Sequence, residues 1–257
     1  RSFLRRNILF QAVVIIRQRS YWLLAKVISA YIGAVIGAGF ASGQEIMQFF
    51  ILHGNSGLIG AGLAAVLFAY LGGLVMYLAI TMHSGSYKKL FCYLLGKKAG
   101  RYMDVFNLFM LLGGVGVMMA GSAAVFSEHF GLPSKAGIGS VAVLTSLVLM
   151  GGLEGVLNAN VCLVPLKYLA VLSISLAVIL SPGGLSGFHA GAAAGGGVTG
   201  SWALAGFLYV SYNMVVPVAV LSSLGKTVPL RIGLAGGALG GLLLGLAIFL
   251  VTAAGLA

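Results

Sequence analysis

Seven apolar runs follow one another along the chain, each near the ~20 residues a helix needs to cross a bilayer, with most of the charged side chains in the gaps. They cover about Val27 to Leu52, Leu58 to Met82, Tyr102 to Phe126, Ile138 to Leu153, Val161 to Leu180, Trp202 to Leu224 and Ile232 to Ala254. The fourth is short. Hydrocarbon offers backbone amides and carbonyls no partner, so each run must be helical except where protein or a cavity surrounds it. The fold class is therefore all-α, a polytopic helical membrane protein.

Composition agrees, since 60% of residues are hydrophobic, only 7% are charged and mean hydropathy is +1.08. A soluble domain cannot wet its surface with so few charges. The net charge of +11 does not point to nucleic acid, because the basic residues lie between apolar runs, where they orient a chain in the bilayer. The expected partners are a small-molecule solute and the lipid bilayer, with no nucleic acid.

Residues 1–21 form a basic arm, with five arginines around an apolar core, Ile8 to Ile16, that is too short to span. Placing this arm inside also places Lys26, Lys88, Lys89, Lys97, Lys98, Arg101, Lys167, Lys226 and Arg231 inside, leaving Lys135 outside. The positive-inside rule thus predicts a cell-membrane protein with a cytoplasmic N-terminus. Residues 182–201 fall in a glycine- and alanine-rich outer connection, which divides five spans (22–181) from the next two (202–257). In the last run Gly233, Gly237, Gly241 and Gly245 recur every four residues, a ladder for close helix packing.

The first run is the least like an anchor. Its middle reads GAVIGAGFASGQEIMQFF from Gly33 to Phe50, and a charge near the centre of a spanning helix costs roughly 3 kcal/mol on insertion scales. Ser42-Gly-Gln-Glu45 matches a capping box, in which serine caps a new helix and glutamate reaches back, while Gly37 and Gly39 suit the end of a preceding one. The pattern predicts two half-helices with an unwound stretch at about Gly37 to Gly43, presenting backbone groups to a solute or ion. The plainer reading is that Gly33/Gly37 and Gly39/Gly43 are GxxxG packing pairs. Glu45 is a cap first and a titrating carboxyl for ion or proton coupling second. Ionised, it would compete with an anionic solute group at the half-helix N-terminus.

The sixth run repeats the interruption in FLYVSYNMVVPVAV, residues 207–220. Pro217 cannot donate to the carbonyl of Asn213 and crowds it, so the helix must kink or open there. Tyr209, Ser211, Tyr212 and Asn213 place polar groups at that depth, though a proline kink with Asn213 bonded to a neighbouring helix would explain them too. Interrupted spans opening two successive groups of helices, with five spans between the openings, mark a transporter site between inverted repeats. Asn107, Gly113, Gly114 and Gly116 in the third run are weaker candidates for the same cavity.

Enzyme chemistry is not expected. Cys92 and Cys162 lie far apart, His53, His83, His129 and His189 are scattered over connections, and no metal-ligand spacing, P-loop or nucleophile with its base is present. The sequence calls for no catalytic residue, metal or cofactor, beyond Na+ or H+ as a coupling ion.

The segments AYIGAVIGAGFASGQEIMQFF (30–50) and YVSYNMVVPVAVL (209–221) resemble those of the YkvI-type family, membrane proteins placed among the amino-acid permeases of the amino acid-polyamine-organocation superfamily. The resemblance runs from about Trp22 to the end of the chain. It implies a LeuT-type fold of two inverted five-helix repeats, with solute held between broken helices one and six. On that pattern Gly37, Ala38 and Gly39 offer backbone groups, Ser42 and Gly43 open the outer half-helix, and Tyr209 to Asn213 face them. The implied fold has ten core helices against seven here, so the chain reads as truncated or as a degenerate product. The expected function is a secondary active transporter of small polar solutes, amino acids or related compounds, working by alternating access with Na+ or H+ coupling. The alternative is a non-transporting relic or a receptor-like solute binder.

Overall fold

The structure is a computed structural model that describes residues 2–37, 40, 43–181 and 199–257; for residues 2–17 and 19 it describes the backbone alone. Every regular element among the described residues is helical. They are α1 (Ser2–Val35), α2 (Gln44–Phe49), a 3-10 turn (Ile51–His53), α3 (Asn55–Thr81), α4 (Tyr87–His129), α5 (Ser134–Met150), α6 (Gly152–Ile179), α7 (Trp202–Asn213), α8 (Val215–Ser223) and α9 (Leu230–Leu256).

Four of these, α3, α4, α6 and α9, are long and apolar enough to cross a membrane, and α7 with α8, bent by 43°, passes the same test as a pair. The 17 residues of α5 rise only about 26 Å. The basic arm is not a separate element, because one helix runs from Ser2 into the first apolar run. The fifth span starts earlier than its hydropathy suggests, at Gly152 rather than Val161, and carries Pro165 within it. That lengthening moves Lys167 from an inner flank to the middle of α6, which corrects its expected place.

Helices in lipid gain little from burying apolar surface and associate by close packing instead, so small residues decide which backbones touch. The glycine ladder of α9 does this against α3: a Cβ at Gly237 would collide with the Gly72 carbonyl oxygen, one at Gly241 with Ala69, and one at Gly245 with Ala65. Gly236 and Gly240 give α9 a second flush face, against Val27 and Tyr31 of α1. A Cβ at Gly206 would lie 2.9 Å from the Gly60 carbonyl oxygen, which sets α7 against α3. Helices α1, α3, α7–α8 and α9 thus form the buried centre, where Tyr31, Phe68, Tyr209, Leu244 and Ile248 lose all contact with the surroundings. On α4, α5 and α6 most large apolar side chains stay exposed, Phe109, Leu144 and Leu166 among them, as a lipid-facing wall requires.

Candidate functional site

Both predicted interruptions are present. Helix α1 stops at Val35, Ile36 and Gly37 are not helical, Phe40 is, and α2 begins at Gln44. Gly43 stands at the N-cap of α2 with φ +74° and without a side-chain cap bond, a left-handed conformation that only glycine adopts cheaply. The restart expected at Ser42 is therefore displaced by one residue, and Glu45 lies in the first turn of α2. Ala38, Gly39 and Ser42 lie outside the described residues. Gly37 is among them, and a Cβ there would collide with the Met118 methyl of α4.

The sixth span breaks at Met214. Pro217 has no N–H for the Asn213 carbonyl, while Met214 donates to Val210 at 2.9 Å and Val218 to Met214 at 2.9 Å, so one helical bond is missing at the bend. Tyr31, one turn before the end of α1, reaches the break of the sixth span. Its hydroxyl donates to the Phe68 carbonyl at 2.8 Å and lies 3.2 Å from Met214 Sδ. Gly72 makes room for that ring, since a Cβ there would strike Tyr31.

Helices α2 and α7 join through aromatic rings. Tyr209 packs edge-on to Phe49, Phe50 and Phe68, with centroids 5.4, 5.0 and 6.1 Å away, and Tyr212 stacks on Phe49 at 5.7 Å. Offset and edge-on pairs of this kind contribute about 0.5–1.5 kcal/mol each beyond burial. The Glu45 carboxylate interacts with Tyr212 and lies within the field of Tyr209. Two polar atoms in this cluster are nonetheless left without partners in a buried setting, Glu45 Oε2 and the Tyr209 hydroxyl. An unpaired buried group costs about 1–3 kcal/mol.

The remaining candidates on the sixth span divide. Ser211 is exposed and donates to its own helix at the Phe207 carbonyl, 2.8 Å away. Asn213 also turns back on its helix, its Nδ2 donating to the Tyr209 carbonyl at 3.1 Å, rather than bonding a neighbouring helix. On α4, Asn107 is buried with Nδ2 unpartnered, while nothing lies within 4 Å of the Cβ positions of Gly113, Gly114 and Gly116.

Lys167 is a candidate group that sequence reasoning missed. From the middle of α6 its ammonium donates to the carbonyl of Ile36, the first residue past α1, at 3.0 Å. The last carbonyls of a helix have no intrahelical donor and carry the negative end of its dipole, so a cation is favoured there. The signal was present in the sequence: a lysine six residues inside a predicted span, two after a proline. An intramembrane ionisable residue marks a functional site by default.

Two further contacts fix α1 against α6. Gly33 lets Asn160 approach, its Cβ position being 2.7 Å from Asn160 Oδ1. At the other end of the helix pair, Lys26 makes an ion pair with Glu154.

Fold and site together define a multi-pass, all-helical membrane protein whose first and sixth apolar runs are both interrupted. One of two relatives is described as a membrane protein. The chain is 38% identical, over 53% of its length, to an uncharacterized membrane protein of Bacillus subtilis, YkvI, of which the match covers 39%. It is 27% identical, over 76% of its length, to an uncharacterized protein of the same organism, YyaD, of which the match covers 54%. The matches thus span about half or less of these relatives. No family model matches the chain, and no solved structure does.

Proposed function

We propose that the protein is a secondary active transporter of small polar solutes, amino acids or related compounds, working by alternating access with Na+ or H+ coupling. The observation that carries this reading is the meeting of two interrupted spans, α1/α2 and α7/α8, through Tyr31 and Met214. A broken span inside a bilayer leaves backbone donors and acceptors unpaired, a cost that a chain bears where a solute or ion can take them up. The LeuT-type arrangement of inverted repeats, with the N-terminus cytoplasmic, is part of the same proposal. It draws support from the grouping of the first, second, sixth and seventh spans around the breaks.

Two ionisable groups flank the interruption, Glu45 at the start of α2 and Lys167 at the end of α1. Lys167 already gives the Ile36 carbonyl a positive partner, which favours H+ over Na+ at that point, because a metal ion would have to displace the ammonium. Glu45, with one oxygen unpartnered, is the group assigned to carry a proton.

The test is uptake into proteoliposomes holding the full-length protein, screened across amino acids and amines with a sodium gradient, a pH gradient or neither. Gradient-driven accumulation that disappears in Glu45→Gln supports the proposal. Saturable binding without uptake under any gradient would instead assign a receptor-like role and overturn it.

A further inference from the structure

The connection from α3 into α4 is built unlike the other turns. Helix α4 is interrupted at Gly96, with φ +78° and ψ 167°, a conformation open to glycine alone among common residues. Beyond it the chain folds back. A Cβ at Gly100 would lie 2.7 Å from the Cα of Cys92 and 2.8 Å from its nitrogen, so the turn before Gly96 rests directly on the turn after it. Leu90 is buried in the core and anchors the first limb, and an ion pair between Lys88 and Asp104 at 3.3 Å ties the limbs together.

This bend is rich in cations. Lys89, Lys97, Lys98 and Arg101 are exposed, and no acidic group pairs with any of them among the described residues. Lys226, from the turn between α8 and α9, lies against the chain that leads into the bend, its ammonium 3.5 Å from the Cβ position of Gly85. Large apolar side chains stand exposed on the same bend: Tyr93, Leu94, Leu95 and Tyr102. Charge of this density cannot enter hydrocarbon, and so many exposed apolar groups do not suit bulk water. The headgroup layer satisfies both, with tyrosines at the interface and cations against phosphate.

We infer that the bend from Tyr87 to Asp104, with Lys226, is a binding surface for anionic phospholipid. The phosphodiester lies against Lys97, Lys98 and Arg101, and the acyl chains cover Leu94 and Leu95. Arginine suits this position because its planar fork gives a phosphate two parallel hydrogen bonds. The inference is independent of any transport activity.

The experiment is native mass spectrometry of the detergent-purified full-length protein after titration with phosphatidylglycerol or phosphatidylcholine. Wild type should retain phosphatidylglycerol in preference to phosphatidylcholine. Lys97→Gln/Lys98→Gln/Arg101→Gln should bind it on the order of 10- to 100-fold more weakly, with circular dichroism confirming that its helices persist. Arg101→Lys, which keeps the charge, should retain most of the binding, and Lys135→Gln on α5 all of it. Equal retention of the two lipids, or an unaltered triple variant, would overturn the inference. So would displacement of the lipid by equimolar soluble glycerophosphoglycerol, which would make this a free-anion site. A dimer lost only in the triple variant would reassign the bend to contact between two copies.

Discussion

Lys167 donates to the Ile36 carbonyl at 3.0 Å, so an ammonium from the middle of α6 closes the end of α1 inside the membrane. The bond accounts for a charge at a depth where an unpaired one would be expelled. It also links the fifth span to the point where the first one opens. Lys167→Met keeps the apolar stem and removes the donor. The variant should be less stable by about 1–3 kcal/mol, read as a lower midpoint in thermal unfolding in detergent, and an unchanged midpoint would show that the bond adds nothing.

Glu45 is predicted to separate coupling from binding. Glu45→Gln keeps the shape of the side chain but cannot release a proton, so a solute should still bind while accumulation driven by a pH gradient is lost. Binding is measured by equilibrium dialysis and accumulation in proteoliposomes. Retained pH-driven accumulation would remove Glu45 from the coupling role.

Tyr209 has a ring that is fully packed and a hydroxyl that is buried without a partner. Tyr209→Phe should leave the aromatic cluster with Phe49, Phe50 and Phe68 intact. Without solute the variant should be as stable as wild type or up to about 1 kcal/mol more stable, because a desolvated hydroxyl is gone. With solute present, weaker binding would show that the hydroxyl had been waiting for that partner.

The glycine seam between α3 and α9 offers a test with an internal control. A Cβ at Gly72 would collide with the Tyr31 ring and lie 2.6 Å from the Gly237 carbonyl oxygen, whereas its neighbour Gly73 has nothing within 4 Å. Gly72→Ala should destabilise by about 1–3 kcal/mol, and Gly73→Ala should be close to neutral or slightly stabilising through its better helix propensity. Denaturation of both variants in the same detergent decides the matter. Equal effects would mean that the two helices do not depend on this close approach.

Tertiary packing also explains why parts of the site escaped sequence reasoning. The proline rule located the break at Met214, because the missing N–H of Pro217 acts within its own helix. The capping rule placed the cap of α2 at Ser42, one residue before the observed Gly43, whose left-handed backbone starts the helix without a side-chain cap. Ser211 and Asn213 share the depth of the break with Tyr209 and Tyr212. Depth did not reveal that their side chains fold back onto the carbonyls of Phe207 and Tyr209.

By itself the sequence determined the all-helical, membrane-spanning class, the break in the sixth span and the face of α9 that packs closely. Each follows from a local rule: the free energy of backbone in hydrocarbon, the missing donor of a proline or the four-residue spacing of small side chains. Only the tertiary structure decided which groups share the site. Lys167 and Ile36 are separated by 131 residues, and Tyr31 and Met214 by 183. Contacts at such separations depend on which helices pack together, a choice that the summed packing of the whole bundle makes and no single segment carries.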